Sequence, residues 1–328
     1  MKAAIESREI ITINVGGICL RGTHHKPKDE DRNSDRIDDE KSHVGILFLS
    51  GSVEPRAAFG DSAIYWAEWL SRLGYRAFRF DLPGLGDSDG DLPGPEPAFM
   101  SLVNAGVFAP SVCSIADHLV ERFRLHGILL VGHCSGAVTA LYSAAADNRI
   151  MGLVLLDPYF NLRPESEIQN ALLTWHWRII GKLVGDGSAQ AYLRAVRLHS
   201  YLRGIYRRKM RLPGASNLPL IRCWNQVASR GTRILVLRSS SFIPKPEEFD
   251  YISHFQSVAG RDCHISVKLI EGATHDFAER HVREVVRRYT EHWLSAFPAL
   301  TGFAEDPGTE YHSPELADAV SRTDLRVH

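Results

Sequence analysis

Six short runs of this 328-residue chain are rich in apolar residues, several of them without interruption: 44–49 (VGILFL), 76–82 (RAFRFDL), 127–132 (GILLVG), 151–156 (MGLVLL), 233–237 (RILVL) and 265–270 (ISVKLI). A strand with one wet face alternates apolar and polar residues, so a run lacking that alternation is covered on both faces, as in a parallel sheet. Helix-like segments lie between the runs, at 61–73, 109–124, 137–146, 246–258 and 276–295. Strand alternating with helix predicts an α/β fold, a mostly parallel, doubly wound sheet with helices on both faces. The alternation breaks at 159–229, where 168–183 and 189–210 carry helical periodicity and no strand signal is strong. An inserted helical cap is expected there. It divides the core into a first part, 1–158, and a second, 230–297, followed by a turn-rich tail at 298–328.

The start of the chain is different. Segments 10–15 (IITINV) and 17–23 (GICLRGT) read as two strands at a sheet edge, and 26–43 (KPKDEDRNSDRIDDEKSH) as a solvated charged loop. With 38 Lys+Arg against 39 Asp+Glu, no global field favours a nucleic-acid partner. No stretch approaches the roughly 18–20 apolar residues of a membrane span, and residues 1–10 lack the apolar core of a secretion signal, so a cytoplasmic protein is expected. The five cysteines, Cys19, Cys113, Cys134, Cys223 and Cys263, are odd in number and form no C-x-x-C pair. Reduced thiols fit this better than disulfides or zinc. His24 and His25 have no acidic or cysteine partner at ligand spacing, and neither metal nor cofactor is expected.

Residues 127–141 (GILLVGHCSGAVTAL) run from a buried strand through Gly132-His133-Cys134-Ser135-Gly136 into a helix. This is the G-x-nucleophile-x-G form of a strand-to-helix elbow. A side chain at either glycine would collide with nearby backbone, and the strained central residue projects its nucleophilic atom above the sheet. That residue is Cys134. Ser135 as nucleophile would lie off the apex and lose the glycine pattern, so its backbone N–H is the more useful group. A buried, inert Cys134 in a degenerate elbow is the bland alternative.

Here the sequence resembles the α/β-hydrolase family, over roughly residues 44–296. Segment 78–90 (FRFDLPGLGDSDG) is similar to the family's R-x-D-x-x-G-x-G-x-S stretch, and 48–53 (FLSGSV) stands where the family has an oxyanion-hole loop. Segment 270–277 (IEGATHDF) looks like its last strand and catalytic histidine. The resemblance implies His275 as the base for Cys134, and Ser52 and Ser135 as backbone oxyanion donors, with Val53 the less favoured alternative to Ser52. The wording FDLPGLGDSDGD and LLDPYFNLRP, with a cysteine elbow, is similar to hydrolase-like proteins associated with exosortase systems.

The chain departs from the family at the acid. The usual position follows the strand after the cap, and here reads Arg238-Ser239-Ser240-Ser241-Phe242. Some relatives carry the acid one core strand earlier, which points to Asp157; binding of nearby backbone N–H groups by this strand-end residue is an equally open reading. Glu247 and Glu248 are more distant alternatives. A thiol is more acidic than a serine hydroxyl and tolerates a weaker third member. Asp81 and Asp87 are expected to hold turn backbone.

His133, Val53, Trp175 and Trp177 are the expected substrate-binding residues, although cap aromatics also serve to pack cap on core. Between Arg194 and Arg211 the charges are all basic, which suits either solvated helix surface or docking of an acidic acyl carrier protein or the phosphates of CoA. A thiolate exchanges readily with thioesters, so acyltransferase or thioesterase chemistry through an acyl-Cys134 intermediate comes first. An ester or lactone hydrolase resembling the dienelactone-hydrolase type is the second reading. A non-catalytic ligand-binding member of the fold is the third.

Overall fold

The computed structural model describes residues 7–28, 40–51, 53–92, 96–162, 212–244, 248–260, 263–295 and 297. The strands are β1 (Arg8–Val15), β2 (Ile18–His25), β3 (Val44–Leu49), β4 (Arg76–Phe80), β5 (Gly127–His133), β6 (Ile150–Leu156), β7 (Arg233–Ser239) and β8 (Ile265–Ile270). They form one sheet in the order β1-β2-β4-β3-β5-β6-β7-β8. From β4 to β8 every pair is parallel, and β1 and β2 are antiparallel to their neighbours at one edge. The expected doubly wound α/β sheet with a two-strand edge is the observed one.

Seven α-helices are described: α1 (Ser62–Arg72), α2 (Glu96–Asn104), α3 (Ala109–Phe123), α4 (Ser135–Ala146), α5 (Leu218–Ser229), α6 (Tyr251–Val258) and α7 (Arg280–Ser295). The apolar runs are continuous because alternate residues enter different cores. Leu47, Phe78, Leu130, Leu153 and Val236 join one cluster with residues of α2–α6, whereas buried Ile46, Ala77, Leu129, Val154 and Leu235 point to the opposite face. On that side α1 and α7 are tied by Tyr65 Oη donating to Glu284 (2.6 Å) and Trp69 Nε1 donating to Glu291 (3.2 Å). Helix α4 is buried nearly all round and is built largely of Ala, Ser, Gly and Val, which lets it lie close to the sheet.

Some boundaries differ from the sequence reading. Helix α6 starts at Tyr251 rather than 246, because the Asp250 carboxylate accepts the Ser253 N–H (3.1 Å) and hydroxyl (2.6 Å) and caps the helix there. Helix α7 starts at Arg280 rather than 276, since Phe277 takes a positive φ of 50°. Helix α2 was not anticipated from its proline-flanked sequence. Of the expected cap span, 159–162 and 212–229 are described, and within it α5 places Leu220, Trp224 and Val227 in the core. Among the described residues no single helix is long and apolar enough to cross a membrane; the bent pair 98–104 and 109–123 passes on composition and packs in the core through Phe99, Val112 and Leu119.

Candidate active site

Parallel register brings the C-terminal ends of three strands abreast: His133 pairs with Leu156, and Leu156 with Leu237. The residues just beyond β5, β6 and β7 are therefore neighbours at one edge, where ligands bind in open α/β sheets.

Cys134 joins β5 to α4 with φ 53° and ψ −116°, a strained conformation for a residue with a side chain. Hydrogen bonds hold it: its N–H donates to Leu156 O (3.0 Å), and its carbonyl accepts from Ala137 N (3.0 Å) and Val138 N (3.3 Å). Both flanking glycines are obligatory. A Cβ on Gly136 would lie 2.2 Å from Leu49 O, and one on Gly132 would lie 2.6 Å from Gly136 O. Ser135 opens α4 directly after Cys134.

Asp157 follows β6, also at positive φ (44°), with its N–H donating to Leu237 O at 2.9 Å. Its fully buried carboxylate accepts from Ser239 N (2.8 Å), Ser239 Oγ (2.5 Å) and His275 Nδ1 (3.0 Å). Asp157 thus bonds both backbone at the strand ends and the imidazole. Cys134 lies within electrostatic reach of the same ring. Burial works to lower the His275 pKa, but the hydrogen bond to Asp157 and the charges of Cys134 and Asp157 outweigh it, raising it to about 10. The cationic ring is the favoured form.

The ring is also fixed by its faces. Phe242 stacks on it with centroids 4.6 Å apart, and His133 packs at 4.8 Å. His133 Nε2 donates to His275 O (2.8 Å), which places the His133 proton on Nε2. Burial, then the charge on His275, lowers the pKa of His133, so it is a neutral brace beneath the site.

Of the other expected site residues, Val53 is 54% exposed in the loop between β3 and α1. Ser52, Trp175, Trp177 and Glu247 lie outside the described residues, as does the basic run 194–211. Asp81 holds turn backbone, accepting from Arg56 N (2.6 Å) and Asp87 N (3.0 Å). Among the described residues no cluster of three His, Cys, Asp or Glu side chains is placed to hold a metal.

Three contributors escaped the sequence reading. Ser239 and Phe242, in the stretch where the usual acid is absent, grip Asp157 and His275. Glu54 donates its N–H to Gly51 O (3.0 Å) in the loop after β3, and burial raises the pKa of its carboxyl; the Glu-Pro after the glycine was its only trace in the sequence.

A family model described as the alpha/beta hydrolase family matches residues 46–288. The chain belongs to the α/β-hydrolase family. Members are generally hydrolytic enzymes, and the chain order Cys134, Asp157, His275 is that of nucleophile, acid and histidine in this fold. Similar solved structures include GrgF from Penicillium sp. sh18 (17% identity, 88% of this chain and 98% of that one, TM-score 0.51). Est1E from Butyrivibrio proteoclasticus, solved with ferulic acid bound, is 15% identical over 87% of this chain and 99% of its own (TM-score 0.50). TT1662 from Thermus thermophilus is 14% identical over 88% and 99% (TM-score 0.52). At these identities the likeness is one of fold. No curated protein matches the sequence.

Proposed function

We propose that this α/β-hydrolase-family protein transfers acyl groups through a thioester on Cys134, from thioester or ester donors. The observation that carries this reading is the 3.0 Å bond between Asp157 and His275 Nδ1, with Cys134 on its strained elbow within electrostatic reach of the ring and the imidazolium favoured. An imidazolium beside sulfur is the partner a nucleophilic thiolate needs. In the first half-reaction the Cys134 sulfur attacks the acyl carbonyl, and the tetrahedral oxyanion is bound by the backbone N–H groups of Ser52 and Ser135. One such donor is worth about 3 kcal/mol. The carbonyl re-forms as the thiol or alcohol leaves with the proton held by His275. In the second half His275 takes a proton from the acceptor, which attacks the thioester, and Cys134 departs as thiolate. Asp157 keeps the Nδ1 proton in place and stabilises the cation.

Sulfur favours donors activated as thioesters, so CoA or an acyl carrier protein is the expected carrier, with Trp175 and Trp177 of the proposed cap and His133 and Val53 of the core as substrate contacts. Intact-protein mass spectrometry of wild type and Cys134→Ala with acyl-CoA and acyl-pantetheine donors tests the reading. A gain equal to the acyl mass in wild type alone supports it. No gain with any donor, with Cys134 no more reactive than the other cysteines, overturns it in favour of a ligand-binding role. Products with and without an added amine or alcohol separate transfer from ester or lactone hydrolysis.

A further inference from the structure

One polar group near the end of β6 is unused by this mechanism. Tyr159 lies two residues beyond Asp157, and its hydroxyl oxygen is shielded from solvent without a hydrogen-bond partner among the described residues. Buried polar groups are nearly always bonded, so this orphan calls for a partner. Burial, with the charge of Cys134 acting in the same direction, raises the phenol pKa; the group is a neutral O–H donor within electrostatic reach of Cys134.

Tyr159 is one wall of a pocket with Asp157, Phe160, Phe242, Phe249 and Tyr251. Phe242 stacks on His275, so the pocket adjoins the catalytic ring. Of its other polar walls, four are engaged. Asp157 is bound by Ser239 and His275, Tyr251 Oη and Ser216 Oγ lie 2.7 Å apart, and Arg238 and Asp250 pair at 3.1 Å. Sheet order decides which part of a substrate meets Tyr159. The oxyanion loop follows β3 on one side of β5, whereas Tyr159 follows β6 on the other. The hydroxyl therefore meets substrate away from the reacting carbonyl oxygen. The carrier half of a donor departs to solvent after acylation, while the acyl group stays through both half-reactions, so a shielded hydroxyl is best matched by the acyl group.

We propose that Tyr159 is a specificity residue whose hydroxyl donates to an oxygen on the acyl chain, and that the substrates are oxygen-bearing acyl groups rather than plain alkyl ones. This rests on the acyl-Cys134 reading. A site built to hydrogen-bond a substrate group discriminates strongly against the analogue lacking it.

The test measures Cys134 acylation rates by intact mass for length-matched pantetheine thioesters: butyryl against 3-oxobutyryl, hexanoyl against 5-oxohexanoyl, and benzoyl against 4-hydroxybenzoyl. Wild type is expected to favour the oxygenated member of at least one pair by about tenfold or more, and Tyr159→Phe to bring that ratio near one. Tyr159→Phe should melt no lower than wild type, since it deletes an unpaired hydroxyl, and this separates lost specificity from lost fold. Absence of discrimination in wild type, or its survival in Tyr159→Phe, overturns the proposal. If no donor acylates wild type, the acyl-enzyme reading has failed, and calorimetry with the corresponding free acids decides the role of Tyr159. Tighter binding of oxygenated acids by wild type than by Tyr159→Phe upholds it, and equal binding refutes it.

Discussion

Two histidines of this protein sit between ring systems, His24 buried and His275 with 32% of its side chain exposed, and their charge preferences are opposite. His24 lies on β2 between Phe78 and Phe123, each 4.7 Å away, with neither ring nitrogen hydrogen-bonded. Burial, reinforced by nearby Arg76 and Lys26, lowers its pKa to about 3. His275 lies between Phe242 and His133, yet its pKa is raised to about 10, because Asp157 bonds it and the charge of Cys134 acts in the same direction. Aromatic walls are common to both rings, so the walls do not set the charge. A buried carboxylate and a sulfur do.

The sharpest way to break this contrast is to take the carboxylate away. Asp157→Asn should turn His275 into a ring more like His24, with its titration, followed by NMR of the imidazole protons, falling from about 10 toward or below the ordinary value of 6.5. The acylation rate of Cys134 should drop by about 10²-fold, less than the ~10⁴-fold typical of a serine triad, because the thiol needs less help. An unchanged titration would mean that Cys134 alone holds the imidazolium.

The same contrast sets the pH dependence of stability, with opposite signs. His24 and His25 both fold neutral, with pKa lowered to about 3, burial being the first cause in each. Their contribution is fully present above the unfolded value near 6.5 and is lost as pH falls toward 3. For one such group the loss at pH 5 is about 2 kcal/mol. His24→Phe removes that titration along with two unpaired nitrogens, so the fall in melting temperature between pH 7 and pH 5 should be smaller than in wild type. His275 acts in reverse: its contribution is present below 6.5 and lost as pH rises through about 10.

Thiols give a smaller effect. Burial pushes Cys113 up to about 12 and also raises Cys223, and neither has an imidazole partner among its causes. At pH 7 Cys134 should react with iodoacetamide about tenfold faster than Cys113, by peptide mass mapping, and His275→Gln should erase most of that lead.

Much of this was legible in the chain. Burial on both faces is written into the composition of β3, β5 and β6, and the flanking glycines of the elbow are forced by clashes any Cβ would make. The acid was harder to read. Asp157 and His275 are 118 positions apart, and only the register of β6 against β7 and β8 shows that the carboxylate ends beside the ring. The orphan hydroxyl of Tyr159 is a tertiary fact with no local signature. A tyrosine after Asp-Pro reads the same whether its hydroxyl is partnered or not.

Asp157 also shows how a buried carboxylate is held against an imidazole from a neighbouring strand. β7 ends in Ser239, whose hydroxyl and N–H both donate to the Asp157 carboxylate at the end of β6. A carboxylate one strand away reaches the same imidazole provided its remaining lone pairs are filled, since an unmatched buried carboxylate would take up a proton and lose its hold on the histidine. Ser239 supplies that match. Ser239→Ala should therefore weaken, without abolishing, the preference of His275 for its cation. The backbone N–H still holds Oδ1, so the loss is that of one hydrogen bond to a charged group, about 1.5–3 kcal/mol at most. The His275 titration should move down by about a unit, with a severalfold slower acylation, and both shifts should vanish in the Asp157→Asn background. Shifts of full size in that background would place the action of Ser239 elsewhere, through its 3.2 Å contact with Ser241.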